Sequence, residues 1–225
     1  MMSTRPKLAA PLPKGPRGRT NEVDTQQLLR QVALELFTEF SFHGVSLRQL
    51  AAAMQMQVGS LYHHIENKQA LLFEMIEEHE SDLLELLQTE VPTQANGVEQ
   101  LESYVRMRLQ FNCLHDQRHT LSRLEFRCLS REQQSEIEHI RLLQTQHLAS
   151  ILRHCDLPAS ECNLIALSMH ILLDGVVAGY PNGGRPPLEN LAALFSRMVL
   201  NGLCRRQAKK ASAQLIISNI QKACK

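Results

Sequence analysis

Two adjacent histidines, His63 and His64, follow a tyrosine in the stretch QVGSLYHHI, which covers residues 57–65. Imidazole and phenol groups can bind metal ions, transfer protons or form hydrogen bonds with another molecule. Neighbouring residues of a helix point about 100° apart, whereas a two-histidine metal site on a helix prefers i,i+4 spacing. The spacing therefore argues against a metal held by this pair. It predicts that His63 faces another molecule while His64 packs against the protein.

A second group of side chains does have metal-binding spacing. His115 and His119 are four residues apart, with Cys113 and Asp116 beside them. No compact set of three or four ligands accompanies them, so a metal-responsive protein is kept only as an alternative. A redox-responsive protein that uses Cys113 and Cys128 is the other alternative. The six cysteines are scattered without a C-x-x-C pair, which favours neither a disulfide framework nor a zinc finger.

The sequence carries none of the common catalytic motifs. It has no G-x-S-x-G, no H-E-x-x-H and no phosphate-binding loop. We expect no enzymatic activity, no catalytic residues, no cofactor and no bound metal. The first 20 residues lack the apolar core of a secretory signal. The longest apolar run, LIALSMHILLDGVVAGY, is interrupted by polar residues and is expected to fall short of a membrane span of about 20 residues. The prediction is a soluble cytoplasmic protein that does not bind membranes.

The net charge of +1 conceals an uneven distribution of charge. Residues 1–20 and 205–225 contain 11 of the 24 basic residues and no acidic residue, which leaves 13 basic against 23 acidic residues in between. A basic arm on an acidic body indicates that one end of the chain contacts a polyanion such as nucleic acid.

Apolar residues recur at helical spacing and strand-type alternation is absent, so the sequence predicts an all-α fold. The first helix is predicted between Asn21 as N-cap and Gly44, a short second helix after Ser46, a third within residues 57–65, and a long fourth helix after Asn67. Five more helices are predicted at 98–114, 117–129, 131–155, 160–180 and 188–206. The predicted segments are a disordered basic arm (1–20), a helix-turn-helix domain (21–66), a connecting helix (67–92), a ligand-binding and dimerisation domain (93–206) and a basic tail (207–225).

Two short helices joined by a tight turn, after a longer helix and a basic arm, are typical of a helix-turn-helix DNA-binding unit. A helix of about two turns fits the major groove of B-DNA, where its outward side chains reach base edges and phosphates. The side chains predicted to face the protein are Met56, Leu61 and Ile65, and those predicted to face DNA are Val58, Ser60, Tyr62 and His63. Gly59, which lacks a side chain, is expected to let the helix backbone approach the DNA closely.

Residues 20–76 resemble the N-terminal domain of the tetracycline-repressor (TetR/AcrR) family of bacterial transcription regulators. The resemblance rests on ALELFTEFSFHGVSLRQLAAAM followed by VGSLYHHIENKQALLFEMI. It implies an N-terminal three-helix DNA-binding domain and a C-terminal helical domain that binds a ligand and forms a homodimer. The protein is then expected to be a repressor that binds a palindromic operator and is released by a small-molecule effector.

The resemblance also implies roles for individual residues. Ser46, Tyr62 and Lys68 would bind DNA phosphates, and Ser60 and His63 would lie near base edges or the flanking backbone. A tyrosine hydroxyl and a lysine at a helix start are ordinary phosphate partners, which fix the register of the protein on DNA without reading sequence.

Further DNA contacts are predicted outside the recognition helix. Arg48 is another phosphate candidate. By analogy with arms that enter a minor groove, the basic arm is expected to contact nucleic acid through Lys14, Arg17 and Arg19. A solubilising role for the arm is the alternative.

The chain departs from the family pattern at two glutamines. Gln55 stands where a turn glycine is usual, so it has to adopt a left-handed conformation, or the turn differs. Gln57 stands where serine or threonine is usual before the recognition helix. It is a weaker N-cap than serine, but its amide can read adenine if it points into the groove.

The last two predicted helices carry the candidate dimer interface. Its residues are Gly175, Gly179, Leu194 and Met198, and packing within one subunit is the alternative. Two-fold symmetry would match a palindromic operator.

A polar segment before these helices carries the candidate ligand pocket. Its residues are Arg106, His119, Arg123, Glu125 and Arg127, and a solvated charged face is the alternative. The run LEFRCLSRE is similar to that of regulators that respond to acyl-coenzyme A thioesters, whose anionic carrier basic residues would suit. An acyl-coenzyme A or another hydrophobic compound is therefore the predicted effector class.

Overall fold

The structure is a computed structural model that describes residues 22–155, 157–179 and 187–201. These residues contain helices and no strand, which confirms the all-α prediction. The chain forms two compact units, Met1–Met75 and Ile76–Lys225. The predicted N-cap Asn21, the basic arm at 1–20 and the tail at 207–225 lie outside the described residues.

Eight helices and one 3₁₀ turn are bounded as follows within the described residues. They are α1 (Glu22–Gly44), α2 (Leu47–Ala53), α3 (Val58–Leu61), α4 (Lys68–Glu90), α5 (Gly97–Leu114), α6 (Asp116–Leu124), η1 (Phe126–Cys128), α7 (Arg131–Arg153) and α8 (Ala159–Gly179). Residues 188–201 are also helical and are called α9. The helix predicted over 117–129 is thus two elements, because Glu125 leaves helical geometry (φ −97°, ψ 1°) between α6 and η1.

Helix α1 is broken near its end. Ser41 has φ 61° and ψ 158°, a backbone region that residues with a Cβ rarely occupy. The break redirects the chain so that Phe42 and Val45 are buried, and the Phe42 ring packs edge-on against Phe37 with centroids 5.5 Å apart. The regular helix therefore stops before Gly44, earlier than predicted.

Helix α1 buries one apolar stripe. Its members are Leu29, Val32, Ala33 and Phe37, whereas Leu28 remains 43% exposed. Burial of such a stripe supplies most of the free energy that holds a short helical domain together.

The core of the second unit lies where α5, α7 and α8 pack on one another. Its largest fully buried side chains include Tyr104, Leu101 and Leu109 of α5. Gly97 begins α5 where the backbone of His154 approaches so closely that an added Cβ would collide with it. This contact explains why a glycine opens the helix that Asn96 caps.

Helix α8 is apolar enough and long enough to span a membrane by length and composition alone, contrary to the prediction from sequence. A third of its most apolar window (33%) is buried within the protein. Several of its other apolar side chains are exposed, among them Leu164 (68%) and Ile171 (65%). The described subunit therefore leaves one face of α8 without a packing partner.

Candidate DNA-binding surface and ligand cavity

The entry to α2 is fixed by a capping box. The Ser46 hydroxyl accepts a hydrogen bond from the Gln49 backbone N–H (3.3 Å), and the Gln49 side chain accepts one from the Ser46 backbone N–H (2.8 Å). Ser46 is exposed, as is the neighbouring Arg48. The predicted cap is confirmed, and both side chains remain accessible for their predicted phosphate contacts.

The turn between α2 and α3 contains the two unusual glutamines. Gln55 has φ 57°, so it adopts the left-handed conformation that its position was predicted to require. Gln57 is the N-cap of α3, but its side chain makes no capping hydrogen bond. Its amide is exposed and does not cap the helix, as a serine side chain would at this position.

Helix α3 is one turn long, shorter than the two turns predicted. After Leu61 the chain continues through tighter bonds, from His63 N to Ser60 O (3.2 Å) and from His64 N to Leu61 O (2.9 Å). This tightening is common at the ends of helices. The helical direction persists for a few residues beyond the α-helical turn.

The side chains of this segment divide into two sets. Leu61 and Ile65 are buried, Met56 and Val58 are half-buried, and Ser60, Tyr62 and His63 are exposed. His64 is half-buried, and its Nδ1 is enclosed without a hydrogen-bond partner. The two histidines thus differ in exposure as predicted, while the contact of His63 with another molecule stays a prediction. A Cβ added to Gly59 would meet nothing within 4 Å, so this glycine lies on open surface.

Lys68 has structural contacts at the start of α4. Its ammonium donates to the backbone carbonyls of Phe42 and Val45, both at 2.7 Å, and lies 4.1 Å from the centroid of the Phe42 ring. Asn67 caps the same helix by accepting from the Ala70 N–H (2.8 Å), as predicted. Lys68 thus fastens α4 to the segment that follows the break in α1, and its phosphate contact stays a prediction.

A cavity of about 220 Å³ lies in the second unit, between α4, α5, α6, η1, α7 and α8. Its apolar wall consists of Leu83, Phe126, Leu167 and Ile171. The rest of the lining is polar or charged, and we call the space the polar cavity.

Glu80 of α4 is the centre of one charged group in this lining. Its carboxylate accepts hydrogen bonds from Ser122 Oγ (2.6 Å), Arg141 Nε (2.9 Å) and Gln144 Nε2 (3.1 Å). Burial opposes ionisation of this carboxyl group, but Arg141 and Ser122 outweigh burial and lower its pKa to about 2. Glu80 is therefore a carboxylate at neutral pH.

Arg108 of α5 is the centre of the second charged group. It is only 5% exposed and donates to Gln144 Oε1 (2.8 Å) and Asp174 Oδ1 (3.1 Å). Burial disfavours the guanidinium charge, but Asp174 and Tyr104 outweigh burial and raise the pKa of Arg108 above its ordinary value. Gln144 thus connects the two charged groups, since it bonds to both Glu80 and Arg108.

Three polar atoms of the lining have no hydrogen-bond partner among the described residues. They are Arg108 Nε, Asn112 Oδ1 and His119 Nε2. Asn112 is 1% exposed and His119 is 6% exposed. Burial lowers the pKa of His119, and burial together with Arg108 lowers the pKa of His170 well below its ordinary value. Both histidines are therefore neutral bases at neutral pH.

Two of the five predicted pocket residues, His119 and Arg123, line this cavity. Arg106 and Arg127 are exposed and do not line it. Glu125 is buried beside it and accepts a hydrogen bond from Cys128 Sγ (3.3 Å).

Sequence reasoning missed the other polar members of the lining, among them Glu80, Arg108 and Asn112. The signal was present for two of them, because Arg108 and Asn112 continue the apolar stripe of Leu101 and Val105 on α5. A polar residue on an apolar stripe marks either a buried network or a binding site.

The alternative metal or redox site gains no support. The described residues contain no group of three or more histidines, cysteines and carboxylates placed to hold a metal ion. His115 lies between α5 and α6, whereas His119 turns into the polar cavity. Cys113 and Cys128 are half-buried, and the Cys128 thiol donates a hydrogen bond to Glu125.

The predicted dimer residues lie on the exposed apolar face of α8 and α9. Leu194 is 45% exposed and Met198 is 54% exposed. A Cβ added to Gly175 or Gly179 would meet nothing within 4 Å. None of these four residues is used in close packing within the described subunit.

Residues 29–75 match the profile of a family described as "Bacterial regulatory proteins, tetR family". This segment covers α2, α3, most of α1 and the start of α4, so the similarity to that family lies in the helix-turn-helix part of the chain. No curated protein sequence matches the chain.

Solved structures resemble the whole architecture. A tetR-family bacterial regulatory protein from Rhodococcus RHA1 is 21% identical, with a TM-score of 0.73 over 80% of this chain and 96% of that one. The ketosteroid transcriptional regulator KstR2 of Mycobacterium tuberculosis is 21% identical, with a TM-score of 0.69 over 79% and 94%. AibR, solved in complex with isovaleryl coenzyme A and operator DNA, is 22% identical, with a TM-score of 0.68 over 77% and 97%.

These likenesses identify the fold as that of tetR-type regulators, with an N-terminal helix-turn-helix and a C-terminal helical domain. With the matched DNA-binding domain, they support a DNA-binding regulator of transcription.

Proposed function

We propose that the protein is a cytoplasmic homodimeric repressor that binds a palindromic operator and is released from it by a small-molecule effector. The observation that carries this proposal is the exposed polar face around α3 within the domain that matches the tetR family. Ser60, Tyr62 and His63 are exposed there, and the exposed Gln57 side chain makes no capping hydrogen bond.

The proposed DNA contacts are of two kinds: phosphate contacts that position the protein on DNA, and base contacts that read its sequence. Ser46, Arg48, Tyr62 and Lys68 would contact phosphates, with Lys14, Arg17 and Arg19 of the arm beyond the described residues. Gln57, Val58, Ser60 and His63 would lie toward base edges. Gln57 is the strongest candidate for base reading, because its amide makes no capping bond and can pair with adenine.

The exposed apolar face of α8 and α9 supports the proposed dimer. Leucine and isoleucine side chains at 50–68% exposure over two turns of one helix are unusual on a monomer surface. A second copy related by two-fold symmetry would cover Gly175, Gly179, Leu194 and Met198, and each subunit would read one half-site. This contact would also explain the apolar composition of α8 without a membrane.

The polar cavity supports the proposed effector site, since it lies in the second unit and is lined by both charged and apolar side chains. AibR is described with a coenzyme A thioester, so an acyl-coenzyme A remains one effector candidate. In the proposed mechanism, effector binding shifts the dimer from a population whose recognition helices fit successive major grooves to one whose helices do not.

Fluorescence anisotropy with the DNA upstream of the protein's own gene tests DNA binding. We expect a steep salt dependence, because each phosphate contact releases counterions. Tyr62→Phe should weaken binding about tenfold to all sequences, as expected for a lost phosphate contact. Gln57→Ala should weaken binding chiefly to sites with the preferred base.

The matched control is Tyr104→Phe, whose hydroxyl is buried in the second unit and bonds to the Gln144 carbonyl. It should leave the affinity for DNA within twofold of the wild type. Unchanged affinity in Tyr62→Phe and Gln57→Ala together would contradict the assigned DNA surface.

A further inference from the structure

The polar cavity brings three unpaired polar groups of two helices together around one space. Arg108 Nε, Asn112 Oδ1 and His119 Nε2 are enclosed and lack partners among the described residues. Neighbouring polar atoms of the same cavity are fully bonded, as Glu80 and Gln144 are. Because an unpaired buried polar group destabilises the fold, a set of three around one cavity indicates polar atoms of a bound molecule.

The charges of the lining indicate the charge of that molecule. Arg141 is paired with Glu80, and Arg108 is paired with Asp174. Arg123 is exposed at the edge of the cavity and has no ion pair among the described residues. Three guanidinium groups therefore face two carboxylates, while the histidines of the lining are neutral. One negative charge on the ligand would balance the site.

Spacing and volume indicate the ligand's size. His119 and Arg123 are four residues apart on α6, so they lie on one face about 6 Å apart along the axis. A volume of about 220 Å³ is below the usual range of about 300–1,000 Å³ for pockets that hold drug-sized ligands. A molecule with two polar ends and a short carbon chain fits these limits.

We infer that the polar cavity binds a short hydroxycarboxylic acid as a monoanion, with its carboxylate at Arg123 and its hydroxyl at His119 and Asn112. A hydroxyl group both donates and accepts, so it can satisfy an imidazole nitrogen and an amide oxygen together. Leu83, Phe126, Leu167 and Ile171 would contact the carbon chain. The inference names the effector class of the proposed repressor and rests on that function only for DNA release.

The test uses the full-length protein in thermal-shift and calorimetric titrations. The probes are sodium lactate and both enantiomers of sodium β-hydroxybutyrate, up to about 20 mM against sodium chloride of equal ionic strength, because a bound ligand stabilises the folded state. Butyrate lacks the hydroxyl, β-hydroxybutyramide lacks the charge, and β-hydroxybutyryl coenzyme A replaces the carboxylate with a thioester.

We expect at least one hydroxy acid to raise the melting temperature. Its affinity should exceed that of butyrate and of the amide by about tenfold each, since each lacks one recognised group. No stabilisation by any hydroxy acid would overturn the inference. So would equal binding of the amide, or binding of the thioester without the free acid.

Two variants locate the site. Arg123→Gln should remove the preference for the acid over the amide, whereas Arg106→Gln, an exposed arginine that does not line the cavity, should keep it. Asn112→Leu should abolish the preference for hydroxy acids over butyrate without lowering the melting temperature of the free protein, because its amide oxygen has no partner to lose. Equal preferences in Arg123→Gln and wild type would overturn the assignment.

DNA binding is measured separately with the same preparations. Acid binding without release of DNA would support the cavity assignment and contradict the effector-released repressor. DNA binding that no hydroxy acid affects, with no acid bound, would overturn the inference and leave the DNA-binding proposal intact.

Discussion

Polar side chains are placed in opposite ways in the two units of the molecule. Among the described residues up to Met75, every buried side chain is apolar. Beyond Met75 the buried residues include Glu80, Arg108, Asn112 and Gln144. The first unit thus presents its polar groups to the surroundings, as a nucleic-acid surface requires. The second encloses them, as a site for a small molecule requires.

This difference also changes what stabilises each unit. An apolar core is insensitive to pH and to the loss of any one surface charge. A buried charged network is stable only while each member keeps its partners, because the charges have already lost their hydration. The two units should therefore respond differently to equivalent substitutions.

The largest expected contrast is between two glutamates. Glu80→Ala should destabilise the protein by about 3–5 kcal/mol, because it leaves Arg141 and Gln144 without their buried partner. Glu74→Ala removes an exposed ion pair with Arg30 in the first unit and should cost at most about 1 kcal/mol. Urea unfolding at neutral pH measures both. Equal losses would show that the buried network has no special energetic weight.

A smaller contrast is expected from pH. Burial lowers the pKa of His79 to about 3, while the same group titrates near 6.5 in an unfolded chain. Between these values the unfolded state binds one more proton, so stability falls by about 1.4 kcal/mol per pH unit below 6.5 from this histidine alone. Glu80 adds to the loss only as the pH falls from about 4.5 toward 2.

His79→Leu tests this contrast by urea unfolding at pH values on either side of 6.5. Below pH 6.5, the stability of the variant should fall less steeply with pH than that of the wild type. The difference in slope should correspond to about one proton. The control is Phe111→Leu, which removes the ring stacked on His79 without removing a titrating group. It should cost the same free energy at each pH. An unchanged pH dependence in His79→Leu would mean that this histidine is not held neutral.

Features that depend on nearby residues could be predicted from the sequence, and features that depend on packing could not. The caps Ser46 and Asn67, the left-handed Gln55 and the division between His63 and His64 follow from neighbours a few residues away. Such local features are encoded in short spacings. The break at Ser41 was missed, since it depends on burial of Phe42 and carries no glycine or proline signal.

The cavity was predicted only in part, for a physical reason. Periodicity shows which face of a helix is buried. It does not show which helices meet. Glu80, Arg108 and Asp174 are brought together by packing of α4, α5 and α8 across 94 positions of sequence. Arg106 was chosen instead of Arg108 because both are arginines and only the packing distinguishes them.

The smallest expected effects concern backbone strain, in which the two units also differ. Both residues other than glycine with positive φ among the described residues, Ser41 and Gln55, lie in the first unit. Gln55→Gly should stabilise the protein by a few tenths of a kcal/mol up to about 1 kcal/mol, because relief of a left-handed conformation is partly offset by the entropy of glycine. Ser41→Gly should gain somewhat more, since its ψ of 158° lies in a region nearly confined to glycine.

Gln57→Gly provides the matched control for this strain, because Gln57 is two residues from Gln55 and has an ordinary φ of −78°. Glycine at position 57 relieves no backbone strain and adds conformational entropy to the unfolded chain. The variant should therefore be no more stable than the wild type. Thermal unfolding of the three variants compares them directly. If Gln57→Gly stabilised the protein as much as Gln55→Gly, the gain could not come from the left-handed turn. A gain confined to Ser41→Gly and Gln55→Gly would instead show that the first unit retains backbone strain where it orients α2 and α3.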